Sequence, residues 1–454
     1  MAAGGRTPAE NLPAAEPRAR DTRLDAWVDR YAARTHQMTA SAIRALFAVA
    51  NRPEVVSLAG GMPNIADLPL DVVGDALHKL VLTNGTQAMQ YGSGQGEAML
   101  RQQICEVMRL EGIDADPDDV TVTVGSQQGL DLITRIFCDP GDVVLAEAPS
   151  YVGALGVFRG YQCDVVHVGM DDGSPRGSGG LSPQALREAL VSLQATRRRV
   201  KFLYTIPNFH NPAGVTQDLQ RRRELLAVAE EFDLMVVEDN PYGLLGFDAA
   251  PLPALRALNS ERVIYLGSFS KTFAPGFRIG WVLAPHAVKD KLVLAQESAV
   301  LCPPVFSQFA VSSYLSAHDW QGQIKVFSEL YRERRDAMLT GLSDHLPAST
   351  TWTRPAGGFF VWVRLPAGVD SQAMLPRAVG ARVAYVPGTA FYSDGFGSAY
   401  MRLSYCFPTP ERIREGTRRL GEVIAHELDL AELFGTTPAV GGRNVTPGPS
   451  ANQS

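Results

Sequence analysis

Short runs of β-branched and aliphatic residues alternate with amphipathic stretches through the first two thirds of the chain. Val120–Val124 reads VTVTV, and Gly125-Ser126-Gln127-Gln128 directly behind it opens a helical pattern that lasts to Phe137. The same succession recurs. Strands are predicted over Val143–Ala146, Val165–Val168, Phe202–Ile206, Leu234–Val237 and Arg262–Leu266, with helices from about Val152, from the capping Ser182 to Leu193, and over Leu219–Phe232. Strands alternating with helices predict a mostly parallel sheet covered on both faces. Ligands of such sheets bind beyond the carboxyl ends of the strands.

The flanks read differently. An amphipathic pattern from Leu24 to Ala50, with Ile43, Leu46, Phe47 and Val49 as apolar positions, predicts a helix that ends before Arg52-Pro53. Val55 to Asn64 is then extended around Gly60-Gly61, and helices over Asp71–Leu82 and Glu97–Leu110 bracket a glycine-rich loop, Gln90–Gly96. Beyond Leu301 a largely helical stretch from Val305 to about Leu342, readable as one long interdomain helix, precedes strands over Gly357–Val363, Val383–Val386 and Tyr400–Ser404 and a last helix over Pro410–Leu430. This describes a smaller α+β domain. The expected division is a mobile arm over 1–21, a segment over 22–64 that joins the small domain, a large domain over 65–310, the small domain over 311–434 and a disordered tail over 435–454. Asp171–Gly180 is expected to be a surface loop.

Composition narrows the function classes. With 45% hydrophobic and 20% charged residues and a formal net charge of -6, the chain has the make-up of an ordinary globular protein and no electrostatic reason to seek nucleic acid or an anionic membrane. Its five cysteines, Cys105, Cys138, Cys163, Cys302 and Cys406, are scattered, with no CxxC pair and no paired-histidine spacing to suggest a metal. Free thiols in a reducing cytosol are the expectation, and the first residues lack the apolar core of a secretion signal. A cytoplasmic protein is the expectation.

The candidate chemistry lies at the predicted strand ends, each of which carries groups able to bind a ligand: Gly125-Ser126-Gln127, Pro149-Ser150-Tyr151, Asn211-Pro212-Ala213-Gly214, Glu238-Asp239-Asn240-Pro241-Tyr242, and Ser268 through Lys271. The stretch GSFSKTFAPGFRIGW, Gly267–Trp281, puts two serines and Lys271 just after a strand and Arg278 seven residues later. Such a cluster suits a Schiff base between Lys271 and a phosphorylated aldehyde, with Ser268, Ser270 and the guanidinium fork of Arg278 on the phosphate. A plain strand–turn–strand would instead leave the lysine solvated. If the aldehyde is pyridoxal phosphate, a buried carboxylate should face the ring nitrogen, and Asp239 fits; Glu238 is its neighbour, but adjacent strand residues face opposite ways. Ser126 and Gln127, at a helix start, offer free N–H groups to phosphate. Tyr151 is placed to stack on the ring, Asn211 and Tyr242 to bond its oxygen, and Arg402 to hold a substrate carboxylate.

These residues resemble the fold-type I pyridoxal-phosphate aminotransferases of class I/II, within them the group of 2-aminoadipate and kynurenine aminotransferases. SLAGGMPN, QYG, GSQQGLDLI, PSYVGAL, IPNFHNPAG, EDNPYG, GSFSKTFAPGFRIGW, AGGFFVW and MRLSY stand in that family's order between about Leu24 and Glu432. The resemblance implies a large α/β domain with a mostly parallel sheet of seven-stranded type between helices, plus the smaller α+β domain. It implies pyridoxal 5'-phosphate as cofactor, with Lys271 carrying it and Asp239 facing its nitrogen. Ser126, Gln127, Ser268, Ser270 and Arg278 look like the phosphate cup, Tyr151 like the stacking ring, Asn211 and Tyr242 like the ligands of the ring oxygen, and Arg402 like the carboxylate clamp. Tyr91 is similar to a tyrosine that reaches a phosphate in the neighbouring subunit, implying a homodimer, and Ser57–Pro63, with Gly60 and Gly61, is similar to the substrate flap. The implied activity is ping-pong transfer of the amino group of an L-amino acid of 2-aminoadipate, aromatic or branched/aliphatic type to 2-oxoglutarate or another 2-oxo acid. A lyase, decarboxylase or cyclising enzyme on the same fold is the alternative. Some relatives carry an arginine in the early helix for a second carboxylate; Thr35–Thr39 has none, and Arg34 is the nearest.

Overall fold

The structure, a computed structural model, describes residues 27–38, 52–171 and 179–433. A two-residue strand, β1 (Val56–Ser57), comes first. The central sheet is then built from β2 (Val120–Val124), β3 (Val143–Ala148), β4 (Asp164–Asp171), β5 (Gly180–Leu181), β6 (Val200–Thr205), β7 (Met235–Asp239), β8 (Val263–Ser268) and β9 (Ile279–Leu283). Their order across the sheet is β2-β9-β8-β7-β6-β3-β4-β5. The pairs from β8 through β4 are parallel; β9 runs against both β8 and β2, and β5 closes the far edge as a two-residue hairpin partner of β4. With only β9 and β5 reversed, the carboxyl ends of β2, β3, β6, β7 and β8 share one edge.

Successive residues of each strand alternate between two cores, as a pleated strand requires. Val144, Phe202, Tyr204, Val237 and Ile264 pack on one side with Leu130 and Ile133 of the helix Gly125–Phe137. Val143, Leu145, Leu203, Val236 and Val263 pack on the other with Leu186 and Leu190 of Pro183–Ala195 and Leu225 and Val228 of Leu219–Glu231. The side chain of Ser182 caps the first of these two helices and that of Asp218 the second, each accepting from a backbone N–H of the first turn.

Beyond the central sheet, β10 (Thr351–Trp352), β11 (Phe360–Arg364), β13 (Val386–Pro387) and β14 (Tyr400–Ser404) form an antiparallel sheet in the order β10-β11-β14-β13. β12 (Val383–Ala384) pairs in parallel with β1 and so anchors the start of the extended segment from Val55. The backbone N–H of Ser404 donates to the carbonyl of Leu58 (2.7 Å), tying that segment to β14 as well.

Four sequence expectations are corrected. The early helix from Leu24 to Ala50 is not continuous: between 27 and 38 the chain makes two 3₁₀ turns, Val28–Arg30 and Ala33–Gln37, separated by extended Tyr31 and Ala32, while residues 39–51 lie outside the described ones. Trp27, Val28, Tyr31 and Met38 are exposed, and a short helix without a buried face gains too little to propagate. The single long helix after Leu301 is two, Val305–Ala317 and Trp320–His345; the carboxylate of Asp319 accepts from Gly322 and starts the second. The strand Val383–Val386 is interrupted at Tyr385, whose hydroxyl donates to the carbonyl of Ser371 (2.7 Å). Finally, β9 and the helix His286–Val300 follow Arg278 where only a turn and a possible return strand were anticipated.

Candidate active site

A cavity of about 280 Å³ opens at the shared carboxyl edge. The sequence-predicted residues Ser126, Gln127, Tyr151, Asn211, Asp239, Tyr242, Ser268, Ser270, Lys271, Arg278, Arg402 and Gly61 all line it. Gly60 does not: it faces a second cavity on the back of the same segment. Tyr91 lies apart from the cavity, 77% exposed. The lining also includes Met62, Ile206, Pro241, Pro275 and Phe360, which the sequence reading did not single out.

Lys271 follows β8 and points into the cavity, its Nζ donating to the carbonyl of Gly61 at 3.0 Å. Burial, reinforced by the charges of Arg402 and Arg278 and opposed by Cys406 and Asp239, lowers its amine to about 8. A nucleophilic amine must be neutral to react, and the lowered value raises that fraction far above an ordinary lysine's at neutral pH.

Asp239 ends β7 on the face that carries Tyr204 in the adjacent strand, because Tyr204 pairs with Val237, two residues earlier. The Tyr204 hydroxyl donates to Asp239 Oδ2 at 2.7 Å, while Oδ1 is buried with no partner. Burial pushes the carboxyl up to about 6, with Tyr204 and Lys271 pulling it back. Glu238 faces the opposite core, where its oxygens accept from the backbone N–H groups of Leu255 (3.0 Å) and Arg256 (2.9 Å). The strand's alternation thus leaves Asp239 as the carboxylate of the cavity.

At the other end, Pro275–Phe277 form a 3₁₀ turn and Arg278 takes a left-handed conformation (φ 56°), uncommon for a side-chain-bearing residue. This swings its guanidinium back, within 3.4 Å of Ser270 Oγ and 3.3 Å of the Val124 carbonyl. The Ser268 and Ser270 hydroxyls lie 2.9 Å apart. Gly125 (φ +72°) admits this approach, since a Cβ there would sit 2.4 Å from Arg278 Nη2. The result is a helix N-terminus, two hydroxyls and a guanidinium turned to one spot, the donor set of a phosphate.

Arg402 projects from β14 and is buried between aromatic rings, 4.1 Å from the centroid of Phe360 and 5.1 Å from that of Phe391. Its Nη1 donates to Asn211 Oδ1 (2.9 Å) and its Nη2 to the Ala59 carbonyl (2.7 Å). Burial pushes it down to about 10, against the opposing influence of Tyr242, Cys406 and Tyr151, so it remains cationic at neutral pH. Gln127 donates to the Gly153 carbonyl (3.0 Å) and accepts from Tyr151 (3.3 Å), steadying the ring at the cavity wall. Cys406, also unanticipated, donates from its thiol to the carbonyl of Met62 at 3.0 Å. Tyr204 was hidden because a tyrosine within an apolar strand reads as core; the parallel register that sets it diagonal to Asp239 is visible only once the strands are paired.

An amine lowered toward neutrality, a buried carboxylate with one free oxygen and an anion cradle fit pyridoxal phosphate, and the comparisons agree. The chain matches the family described as aminotransferase class I and II over residues 53–420, and it belongs to that family. It is 42% identical over 394 residues to aromatic-amino-acid aminotransferase 1 of Thermococcus litoralis, covering 86% of this chain and 93% of that one. It is 38% identical over 408 residues to the 2-aminoadipate transaminase of Thermus thermophilus, covering 89% and 98%. The crystal structure of Pyrococcus horikoshii kynurenine aminotransferase, in complex with PMP, superposes with a TM-score of 0.83 at 40% identity, covering 88% of this chain and 98% of that one. The protein is a pyridoxal-phosphate-dependent aminotransferase of fold type I, in the 2-aminoadipate/kynurenine group; the lyase alternative is not favoured. Among the described residues no helix is long and apolar enough to cross a membrane, and no cluster of His, Cys, Asp and Glu could hold a metal.

Proposed function

We propose that this enzyme transfers the amino group of an L-amino acid with an aromatic or other apolar side chain to 2-oxoglutarate or another 2-oxo acid. The observation that carries the reading is the convergence in one cavity of Lys271, Asp239 with its free oxygen, and Arg402. Pyridoxal phosphate supplies an electron sink for the electrons of the substrate Cα–H bond. Lys271 would hold the cofactor and, once displaced by the donor amine, shuttle the Cα proton from its Nζ. Asp239 would keep a proton on the ring nitrogen, Tyr151 stack on the ring, and Asn211 and Tyr242 bond its oxygen. Ser126, Gln127, Ser268, Ser270 and Arg278 would bind the phosphate, and Arg402 the substrate carboxylate, beneath the segment that carries Gly60 and Gly61.

Met62, Ile206, Pro241 and Phe360 in the lining favour an apolar donor. Arg34 lines an adjoining cavity together with Gln127 and Gly153, and this keeps 2-aminoadipate as a second reading. The test is the half-reaction: holoenzyme mixed with single amino acids and no 2-oxo acid, followed by absorbance and by assay of the released 2-oxo acid. Fast conversion by phenylalanine, tyrosine or leucine supports the first reading, fastest conversion by 2-aminoadipate the second, and loss of carbon dioxide or ammonia from the donor would defeat transamination.

We also infer a homodimer working in the cytoplasm. Leu82, Met89, Tyr91, Met99 and Leu301 leave apolar surface exposed along 82–99 and at 301, as expected where a second copy packs and Tyr91 reaches the partner's phosphate cup. The five thiols are free, as in a reducing compartment. A monomeric mass by light scattering, with activity retained, would refute the dimer.

A further inference from the structure

Behind the cavity runs a chain of buried polar groups that the reaction chemistry does not use. Glu111, in the turn directly after the helix Ala98–Arg109, accepts on both carboxylate oxygens: from Asn240 Nδ2 at 2.6 Å and from the Tyr265 hydroxyl at 2.9 Å. Asn240 Oδ1 in turn accepts from Asn208 Nδ2 at 3.0 Å, and Asn208 Oδ1 from Arg222 Nη2. Arg222 is fully buried; its Nε donates to the Gln217 carbonyl (2.9 Å) and its Nη1 to that of Pro253 (2.8 Å).

The order carboxylate, amide, amide, guanidinium is directional. Both asparagine side chains point their NH₂ toward the anion and their oxygen toward the cation, so each dipole is aligned between the two charges. Flipping Asn240 would set its oxygen against the Glu111 carboxylate and its NH₂ against that of Asn208. Burying two charged ends is costly unless every polar group between them is paired, so the arrangement tolerates one geometry. Gly243 serves the same contact: a Cβ there would lie 1.9 Å from Glu111 Oε1.

The two amides stand in two cofactor loops. Asn208 lies three residues before Asn211, and Asn240 directly follows Asp239, two residues before Tyr242. Their mutual hydrogen bond joins the loop after β6 to the loop after β7. We propose that Glu111, Asn240, Asn208 and Arg222 are positioning residues that set the Asn211 loop and the Tyr242 loop in register with each other, so that both side chains converge on the cofactor's ring oxygen. This rests on the reading of Asn211 and Tyr242 given above. Burial raises the Glu111 carboxyl to about 7, and its bonds to Asn240 and Tyr265, which favour the anion, oppose that rise.

The test compares two ligands of the apoenzyme: pyridoxal phosphate and its 3-deoxy analogue, which lacks the ring oxygen. Affinities are measured by fluorescence titration for the wild type, Asn208→Ala and Glu111→Gln. The wild type is expected to prefer pyridoxal phosphate. The variants are expected to lose roughly tenfold in affinity for it, about 1.4 kcal/mol, and less than about threefold for the analogue. Equal losses for both ligands would reveal a merely structural plug and overturn the proposal, as would unchanged affinities. A wild type that binds both ligands equally well defeats instead the reading of Asn211 and Tyr242 as ring-oxygen ligands, and the proposal with it. Should Asn208→Ala fail to fold, Glu111→Gln, which keeps the side-chain volume and one acceptor oxygen, carries the same comparison.

Discussion

Replacing Tyr204 by Phe removes one hydroxyl and nothing else from the apolar core around it, where Phe158 packs edge-on against the ring and Phe202 against Phe158. What disappears is the 2.7 Å hydrogen bond to Asp239 Oδ2, made where both partners are buried. A hydrogen bond to a buried charged group contributes about 1.5–3 kcal/mol, and one pKa unit corresponds to about 1.4 kcal/mol, so the Asp239 carboxyl should rise by about one to two units. It starts from about 6, already raised by burial. The sign follows from the proposed role: the anion, which would hold a proton on the ring nitrogen, exists above the carboxyl's pKa and is lost as pH falls through it. The acid limb of the half-reaction should therefore move to higher pH in the variant, with the rate largely restored on the alkaline side. The ring nitrogen's own charge acts on Asp239 in both proteins, so the displacement between them is the quantity to compare. Single-turnover rates across the neutral range, with thermal melting to confirm an intact fold, provide the assay. An acid limb that stays in place would refute the claim that Tyr204 tunes this carboxylate, and a uniform loss of rate at every pH would show that it acts on geometry alone.

Arg402→Lys keeps a positive charge but loses the planar fork and the stacking on Phe360 and Phe391. The KM of the amino donor should rise on the order of tenfold to a hundredfold with little change in cofactor affinity, and a KM within twofold of the wild type would move the carboxylate clamp elsewhere. For Lys271, lowered to about 8 by burial and by Arg402 and Arg278, the rate of pyridoxal phosphate capture by apoenzyme should climb as pH rises through about 8 and then level off. A rate still climbing toward the ordinary lysine value of about 10.4 would show that the amine is not perturbed.

Strand positions in the parallel core were legible because buried strands read as near-unbroken β-branched or aliphatic runs: the predicted Val143–Ala146 and Arg262–Leu266 overlap β3 and β8. The polar strand ends were legible for a related reason. Serine, asparagine, aspartate and lysine are conspicuous directly after such runs, and the shared direction of the strands brings them to one edge. Where the reading failed, local pattern lacked a partner to arbitrate. The pattern from Leu24 to Ala50 suggested one helix, yet within 27–38 the chain makes two separate 3₁₀ turns with Trp27, Val28, Tyr31 and Met38 exposed. Ile279–Leu283 was left undefined because an antiparallel return strand and a loose turn look alike until β2 and β8 are seen to flank it.

The groups that orient the site were the least legible, and for a physical reason. Tyr204 and Asp239 are 35 residues apart, and Glu111 and Asn240 are 129 apart. A residue that binds a ligand stands at a loop where its polarity is out of place, whereas a residue that holds such a ligand steady is buried, and its polarity is cancelled by a partner on another element. Tyr204 and Tyr265 sit in apolar strands with nothing local to distinguish them from packing tyrosines. Arg222 is one of three consecutive arginines, Arg221–Arg223, a run that reads as a solvated helix end; the second of them is fully buried and bonded to a loop of the site, while Arg221 pairs with Asp171 at the surface. Their identity as positioning groups depends on register and burial, properties of the assembled sheet. Substitutions at Tyr204, Glu111 or Asn208 should therefore act on the cofactor through residues they hold in place, and the pH displacement and the two-ligand comparison are the measurements that separate such action from simple loss of packing.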